Sequence, residues 1–333
     1  MLLPPRLQKG DIIGFFSPSN PATHTAPTRF ERAKTFLQTK GFKLIAGKLT
    51  SKSDNYRSGS IAQRADELNE LIYHPQVKCI ISTIGGSNSN SILPYIDYGA
   101  IRKQPKIFIG YSDVTAILHA IYTQTGLVTF YGPALVASFG ELPPFVDITY
   151  SYFADTLLHN RHLPYLLPTP PITTQETIPW ETQTRSKIPE TNKLHTIIGG
   201  QAVGRLIAGN LNTMWGFANS PYSIAIQQGD ILLIEDSLKD IATVERLFSM
   251  LLLNGTLDKI GGIVLGKHEK FDTQNTHRQP SDVLLEVLKD RKIPILANFD
   301  CSHTHPMLTV PIGIKAQLNA TNQTLTLLQN WVC

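Results

Sequence analysis

In the first half of the chain, short apolar and β-branched runs alternate with amphipathic stretches: Asp11 to Phe16, Pro27 to Thr39, Lys43 to Ile45, Ile61 to Tyr73 and Val77 to Thr83. The alternation continues with Lys106 to Tyr111 as a buried strand. Asp113 to Thr125 follows as a helix with Val114, Ile117, Leu118 and Ile121 on one face, then Val128 to Tyr131 as a further strand. Strand and helix periods in strict turn predict a largely parallel sheet covered by helices on both faces. From His159 to Leu194 the pattern dissolves into Pro, Thr, Gln and Glu with scattered apolar positions, among them Trp180, which reads as a linker and long loop. The alternation resumes with strand Gly229 to Glu235 and helix Ile241 to Leu253, whose Val244, Leu247, Phe248 and Leu251 align. Strand Ile260 to Gly266, helix Ser281 to Lys289 and strand Ile293 to Asn298 complete it. The predicted fold is α/β in two domains. Residues 1–160 form a mostly parallel sheet flanked by helices, 161–195 a linker and loop, and 196–333 an α/β domain with parallel and mixed strands.

Composition narrows the function classes. A chain of 333 residues with 42% hydrophobic content is long enough for two cored domains. The net charge of +4 is spread without basic and aromatic interleaving, so no nucleic-acid partner is indicated. Three scattered cysteines, Cys79, Cys301 and Cys333, make no disulfide framework and fit a reducing compartment. The N-terminus carries a Pro4-Pro5 pair and charges where a signal peptide needs its apolar stretch, and no apolar run approaches the ~20 residues of a membrane span. A cytoplasmic protein without a membrane partner is the expectation.

Chemistry gathers where predicted strands end. Ile107-Phe108-Ile109-Gly110-Tyr111-Ser112-Asp113 places a serine between a buried strand and an amphipathic helix, the position of a nucleophile elbow. The last glycine of G-x-S-x-G is missing, and Ser112 could equally serve only as a helix cap. The turn Thr83-Ile84-Gly85-Gly86-Ser87-Asn88 follows another buried strand and lacks the lysine of a P-loop, so it suits a backbone donor to an oxyanion, or an ordinary turn. Glu235 and Asp236 end the strand beginning at Gly229, and Cys301-Ser302-His303-Thr304-His305-Pro306 follows the strand ending at Asn298. A nucleophilic serine needs a base and the base an orienter, which these positions offer. His303 and His305 with Asp300 and His268 would alternatively make a metal site, although H-x-H alone is an unspecific signal.

Five motifs together resemble the LD-carboxypeptidase family of serine peptidases over nearly the whole chain: Gly85-Gly86, Gly110-Tyr111-Ser112-Asp113, Gly209-Asn210-Leu211-Asn212-Thr213, Leu233-Ile234-Glu235-Asp236-Ser237, and His303 followed by Leu308-Thr309-Val310-Pro311-Ile312-Gly313. The stretches Glu235 to Asp240, Gly266-Lys267-His268-Glu269 and Cys301 to Pro306 are similar to its microcin C immunity branch. The resemblance implies a triad of Ser112, Glu235 and His303 split between two domains, with Gly86 and Asp113 N–H groups as oxyanion hole. It also implies Trp180 stacking on a nucleobase, and Asn212, Lys239 and Glu269 near the substrate, with His305 a neighbour of the base. No cofactor or metal is implied, and a homodimer is. The implied reaction is hydrolysis of an amide in a microcin C-like aminoacyl nucleotide. The other branch instead removes the terminal D-amino acid of murein tetrapeptides. A metal-dependent hydrolase and a non-catalytic binding protein are the readings from other classes; a dinucleotide-dependent dehydrogenase is disfavoured because no G-x-G-x-x-G follows a predicted strand.

Overall fold

The computed structural model describes residues 1–159 and 161–333. The apolar runs of the first half pair into a six-stranded sheet ordered Val310–Ile312, Thr129–Tyr131, Ile107–Gly110, Val77–Ser82, Ile12–Phe16, Lys43–Ala46. The five strands from the first half run parallel, because each is joined to the next by a helical crossover. Strand direction of connection reverses between Ile12–Phe16 and Val77–Ser82, so a crevice opens beyond their carboxyl ends. Helix Ile61–Tyr73 packs on those two strands, and helix Thr115–Thr125 on Ile107–Gly110 and Thr129–Tyr131. Ile13, Phe15, Ile80, Ile81, Ile109 and Phe130 are consequently buried, each contributing about 1.5–3 kcal/mol.

The second sheet has eight strands, ordered Tyr165–Leu166, Thr324–Leu327, Lys315–Asn319, Gln201–Asn210, Ile231–Glu235, Gly262–Gly266, Ile295–Phe299, His195–Ile198. Its centre is parallel and its edges antiparallel. Two features differ from the pattern-based expectation. Val310–Ile312 lies far along the second half, yet it pairs antiparallel with Thr129–Tyr131 and completes the first sheet. The segment 161–195 holds the short strands Tyr165–Leu166, Ile172–Thr173 and Glu190–Thr191 and is pinned at intervals.

The sheets meet where helix Thr115–Thr125 lies against strand Gln201–Asn210. Asn210 N–H donates to Thr115 Oγ1 at 3.0 Å, and His119 Nε2 lies 2.8 Å from Ala208 O. Burial pushes the His119 pKa down to about 4, so its neutral ring donates to that carbonyl. Gly209 permits the approach, since a Cβ there would lie 2.6 Å from Thr115 Cγ2. The carboxyl ends of both parallel sets thus face one cleft. Among the described residues, no helix is long and apolar enough to cross a membrane.

Candidate active site

Ser112 lies one residue, Tyr111, beyond strand Ile107–Gly110 and has φ of 60°, a left-handed conformation that costs a non-glycine residue of order 1–3 kcal/mol. Gly110 makes the turn possible: a Cβ there would lie 2.5 Å from Ser82 Oγ and 2.8 Å from Val114 Cγ1. Val114 therefore occupies the place of the motif's missing glycine at no steric cost. Among the described residues the Ser112 side chain makes no hydrogen bond; its carbonyl instead accepts from Thr115 Oγ1. What holds the turn is the backbone: Ser112 N–H donates to Tyr131 Oη at 3.1 Å, and Thr115 Oγ1 donates to Ser112 O at 2.6 Å.

The Gly85-Gly86 turn packs directly on this serine. A Cβ on Gly85 would lie 2.9 Å from Ser112 Cβ and 3.1 Å from both Asp113 N and Ser112 Oγ. Gly86 has φ of 148°, and a Cβ on it would reach within 2.2 Å of Ser19 Oγ. The Asp113 carboxylate ties turn to elbow by accepting from Asn88 N at 3.0 Å and Ser89 N at 2.9 Å. The N–H groups of Gly86 and Asp113 make no hydrogen bond among the described residues.

Glu235 is fully buried at the end of strand Ile231–Glu235, in register with Asn210 on its neighbour. One oxygen, Oε2, lies 2.6 Å from His303 Nδ1; the other accepts from Tyr131 Oη at 2.6 Å and Asn210 Nδ2 at 3.0 Å. Burial would raise this carboxyl, but the contacts with His303, Tyr131 and Asn210 hold it below its ordinary value. Burial likewise opposes the His303 imidazolium, yet the charge and hydrogen bond of Glu235 prevail and its pKa is raised. His303 also packs edge-on against Tyr111, with ring centroids 5.0 Å apart. Tyr131 was not foreseen from sequence, although it joins the serine backbone to the glutamate.

Ser112, His303, Gly85, Gly86, Tyr111, Trp180, Lys187, Glu269 and His305 line one cleft of about 370 Å³. Among the described residues Ser112 and His303 share no hydrogen bond, and the His303 ring is held by Glu235. Trp180 is half-buried, with the Arg29 guanidinium 4.7 Å from its ring centroid. The next residues anchor its loop: Glu181 accepts from Thr28 N and Arg29 N at the start of helix Pro27–Thr39, and Gln183 Oε1 from Arg29 Nη1 at 2.8 Å. Glu269 accepts from Ser237 Oγ at 2.7 Å. Asn212 and Lys239 do not line this cleft; they meet at Asp236, which accepts from Asn212 N at 3.0 Å and lies 3.9 Å from Lys239 Nζ. Burial and the adjacent Glu235 push Asp236 up to about 7. The ligand set considered for a metal is dispersed: His303 is held by Glu235, His305 lies 3.8 Å from Glu141, and Asp300 pairs with Lys267.

A strained serine beside a carboxylate-held imidazole is the arrangement of a serine hydrolase. Sequence signatures of the LD-carboxypeptidase N-terminal and C-terminal domains match residues 13–132 and 203–318. The chain belongs to the LD-carboxypeptidase family of serine peptidases. It is 54% identical over 332 residues to a carboxypeptidase-named protein of Vibrio cholerae, covering 100% of this chain and 99% of that one. It is 53% identical to the microcin C7 self-immunity protein MccF of Escherichia coli over 336 residues, 99% of this chain and 97% of that one. MccF solved in complex with aspartyl sulfamoyl adenosine superposes with a TM-score of 0.98 at 52% identity, with 100% of both chains covered. A Bacillus subtilis protein named as a murein peptide carboxypeptidase is 31% identical over 96% of this chain and 92% of its own length.

Proposed function

We propose that this serine peptidase hydrolyses the amide of microcin C-like aminoacyl nucleotides, with Ser112 as nucleophile, His303 as general base and Glu235 as its orienter. The reading is carried by one observation: the strained Ser112 and the glutamate-held His303 line the same cleft as Trp180. Ser112 Oγ attacks the amide carbonyl while its proton passes to His303 Nε2, and the free Gly86 and Asp113 N–H groups receive the developing oxyanion. The C–N bond then breaks as His303 returns the proton to the leaving nitrogen. Water, deprotonated by the same ring, cleaves the acyl-serine. Trp180 stacks on the nucleobase, with Glu269 at the aminoacyl end; Asn212 and Lys239 act from the rim through Asp236. The similarity to MccF, whose complexes hold aspartyl sulfamoyl adenosine and glutamyl sulfamoyl guanosine, supports this substrate class over a murein tetrapeptide. A cytoplasmic homodimer completes the proposal.

The test compares turnover of an aspartyl adenylate amide and a murein tetrapeptide by wild type and Ser112→Ala, with a chelator present throughout. Nucleotide turnover that survives chelation and vanishes in the variant supports the proposal. Activity retained by Ser112→Ala, or confined to the tetrapeptide, contradicts the nucleophile or the substrate respectively.

A further inference from the structure

One wall of the cleft carries more positive charge than its own carboxylate neutralises. Arg29 and Glu141 are fully buried and paired at 3.0 Å, and Lys187, only 6% exposed, brings its Nζ to 3.3 Å from the same Glu141 oxygen. Arg29 is fully engaged: Nε donates to Val136 O, Nη2 to Ala137 O and Glu141, and Nη1 to Gln183. Glu141 is also taken up by Gln183 Nε2 and Leu142 N. Lys187 lines the cleft, and its ammonium makes no hydrogen bond among the described residues beyond this ion contact. His305 stands beside it on the same wall, with Nδ1 buried and, among the described residues, without a hydrogen-bond partner. Burial and the charge of Lys187 push its pKa down to about 3, so it adds a neutral ring to the wall. The Arg29 guanidinium and the Lys187 amine therefore share one carboxylate in a buried wall, where unpaired charge is costly; burial and the nearby Arg29 lower the Lys187 pKa, and Glu141 opposes that shift. Trp180, on the same loop as Lys187, lines the same cleft.

We propose that Lys187, backed by Arg29 and flanked by His305, forms an anion subsite that takes the acidic linker, a phosphoramidate or acyl sulfamate, between the scissile acyl group and the nucleoside. The inference rests on the nucleotide reading of the substrate and deepens it. One loop then supplies both a ring for the base and a cation for the linker. A peptide carboxylate offers similar charge, so the test separates the two sources. A purely structural ion cluster makes a different prediction, an equal loss on every substrate.

The experiment uses the full-length chain as wild type, Lys187→Met and Lys187→Arg. The substrates are aspartyl sulfamoyl adenosine, its uncharged analogue with a 5′-amide linker, and a murein tetrapeptide. In Lys187→Met the ratio of KM for the sulfamate to KM for the neutral analogue should rise roughly 10- to 100-fold, the cost of removing one charged hydrogen-bonding partner. Lys187→Arg should restore most of that ratio. A ratio unchanged within about threefold, or a loss confined to the tetrapeptide, overturns the subsite as assigned. Should Lys187→Met fail to fold, binding of adenosine monophosphate and adenosine to Ser112→Ala gives the reading instead. A preference for the phosphate below about threefold overturns the proposal, and a preference above tenfold supports it. Wild type that prefers the phosphate yet hydrolyses neither nucleotide substrate would retain the subsite and reject the proposed reaction.

Discussion

As the proposed base, His303 would take a proton only when neutral, while the Glu235 carboxylate 2.6 Å from Nδ1 favours the charged ring. Burial opposes that charge, but the pair raises the pKa above the ordinary histidine value of 6.5. The neutral fraction grows as pH rises through that pKa, so kcat/KM should climb along an acid limb centred above 6.5. Glu235→Gln removes the favouring charge; the limb should move to lower pH and kcat fall on the order of 1,000- to 10,000-fold. A pH–rate profile of both proteins checks this, and a limb that stays put in the variant would remove Glu235 from the orienting role. Tyr131→Phe deletes both the acceptor for Ser112 N–H and a donor to Glu235. A kcat loss of about 10- to 100-fold with KM nearly constant is expected; a loss only in KM would place Tyr131 in binding. Ser112, Glu235 and His303 stand out in the sequence because each lies at or a few residues beyond the end of a recognisable strand. Tyr131 and Asn210 do not, because a tyrosine closing an apolar run reads as core. Asn210 reads as the helix cap it also is, accepting from Thr213 N at 2.9 Å.

At the scale of elements, the turn carrying Gly85 and the elbow carrying Ser112 work as one piece. Gly85→Ala would push a methyl to about 3 Å from the serine hydroxyl and from Asp113 N–H. Activity should be nearly abolished while circular dichroism stays that of wild type, since the crowded atoms lie at the cleft rather than in the core. Near-normal kcat in this variant would show that the turn is free to move aside. The helical crossovers of the first sheet were readable from period alone. Strand Gln201–Asn210 was not, because Gly204 and Gly209 interrupt its apolar run. Both glycines answer to distant contacts: a Cβ on Gly204 would strike Gly229 O at 1.8 Å. Val310–Ile312 escaped notice for a related reason. Pro311 argues against a strand, yet this one lies at the sheet's edge, where a missing donor is tolerated. The loop of residues 161–195 looked unstructured because its order comes from buried polar anchors such as Gln183, which leave no periodic trace.

In the whole molecule the site exists only because two sheets dock with their carboxyl ends facing one cleft, and no local pattern in a single sequence encodes that docking. The seam runs through Gly209, Thr115 and His119. Gly209→Ala should wedge it open and lower kcat by about 100-fold, the scale of a roughly 1 Å misplacement, with a much smaller effect on adenosine monophosphate binding. Comparable losses in both would mean that the variant disturbs the fold rather than the alignment of Ser112 with His303. The alignment itself is the central claim, and covalent trapping tests it most directly. Intact-mass and peptide analysis after reaction with a fluorophosphonate should find one adduct, on Ser112, suppressed by aspartyl sulfamoyl adenosine and slowed strongly in His303→Ala. An adduct on another residue, or undiminished labelling in His303→Ala, would contradict it.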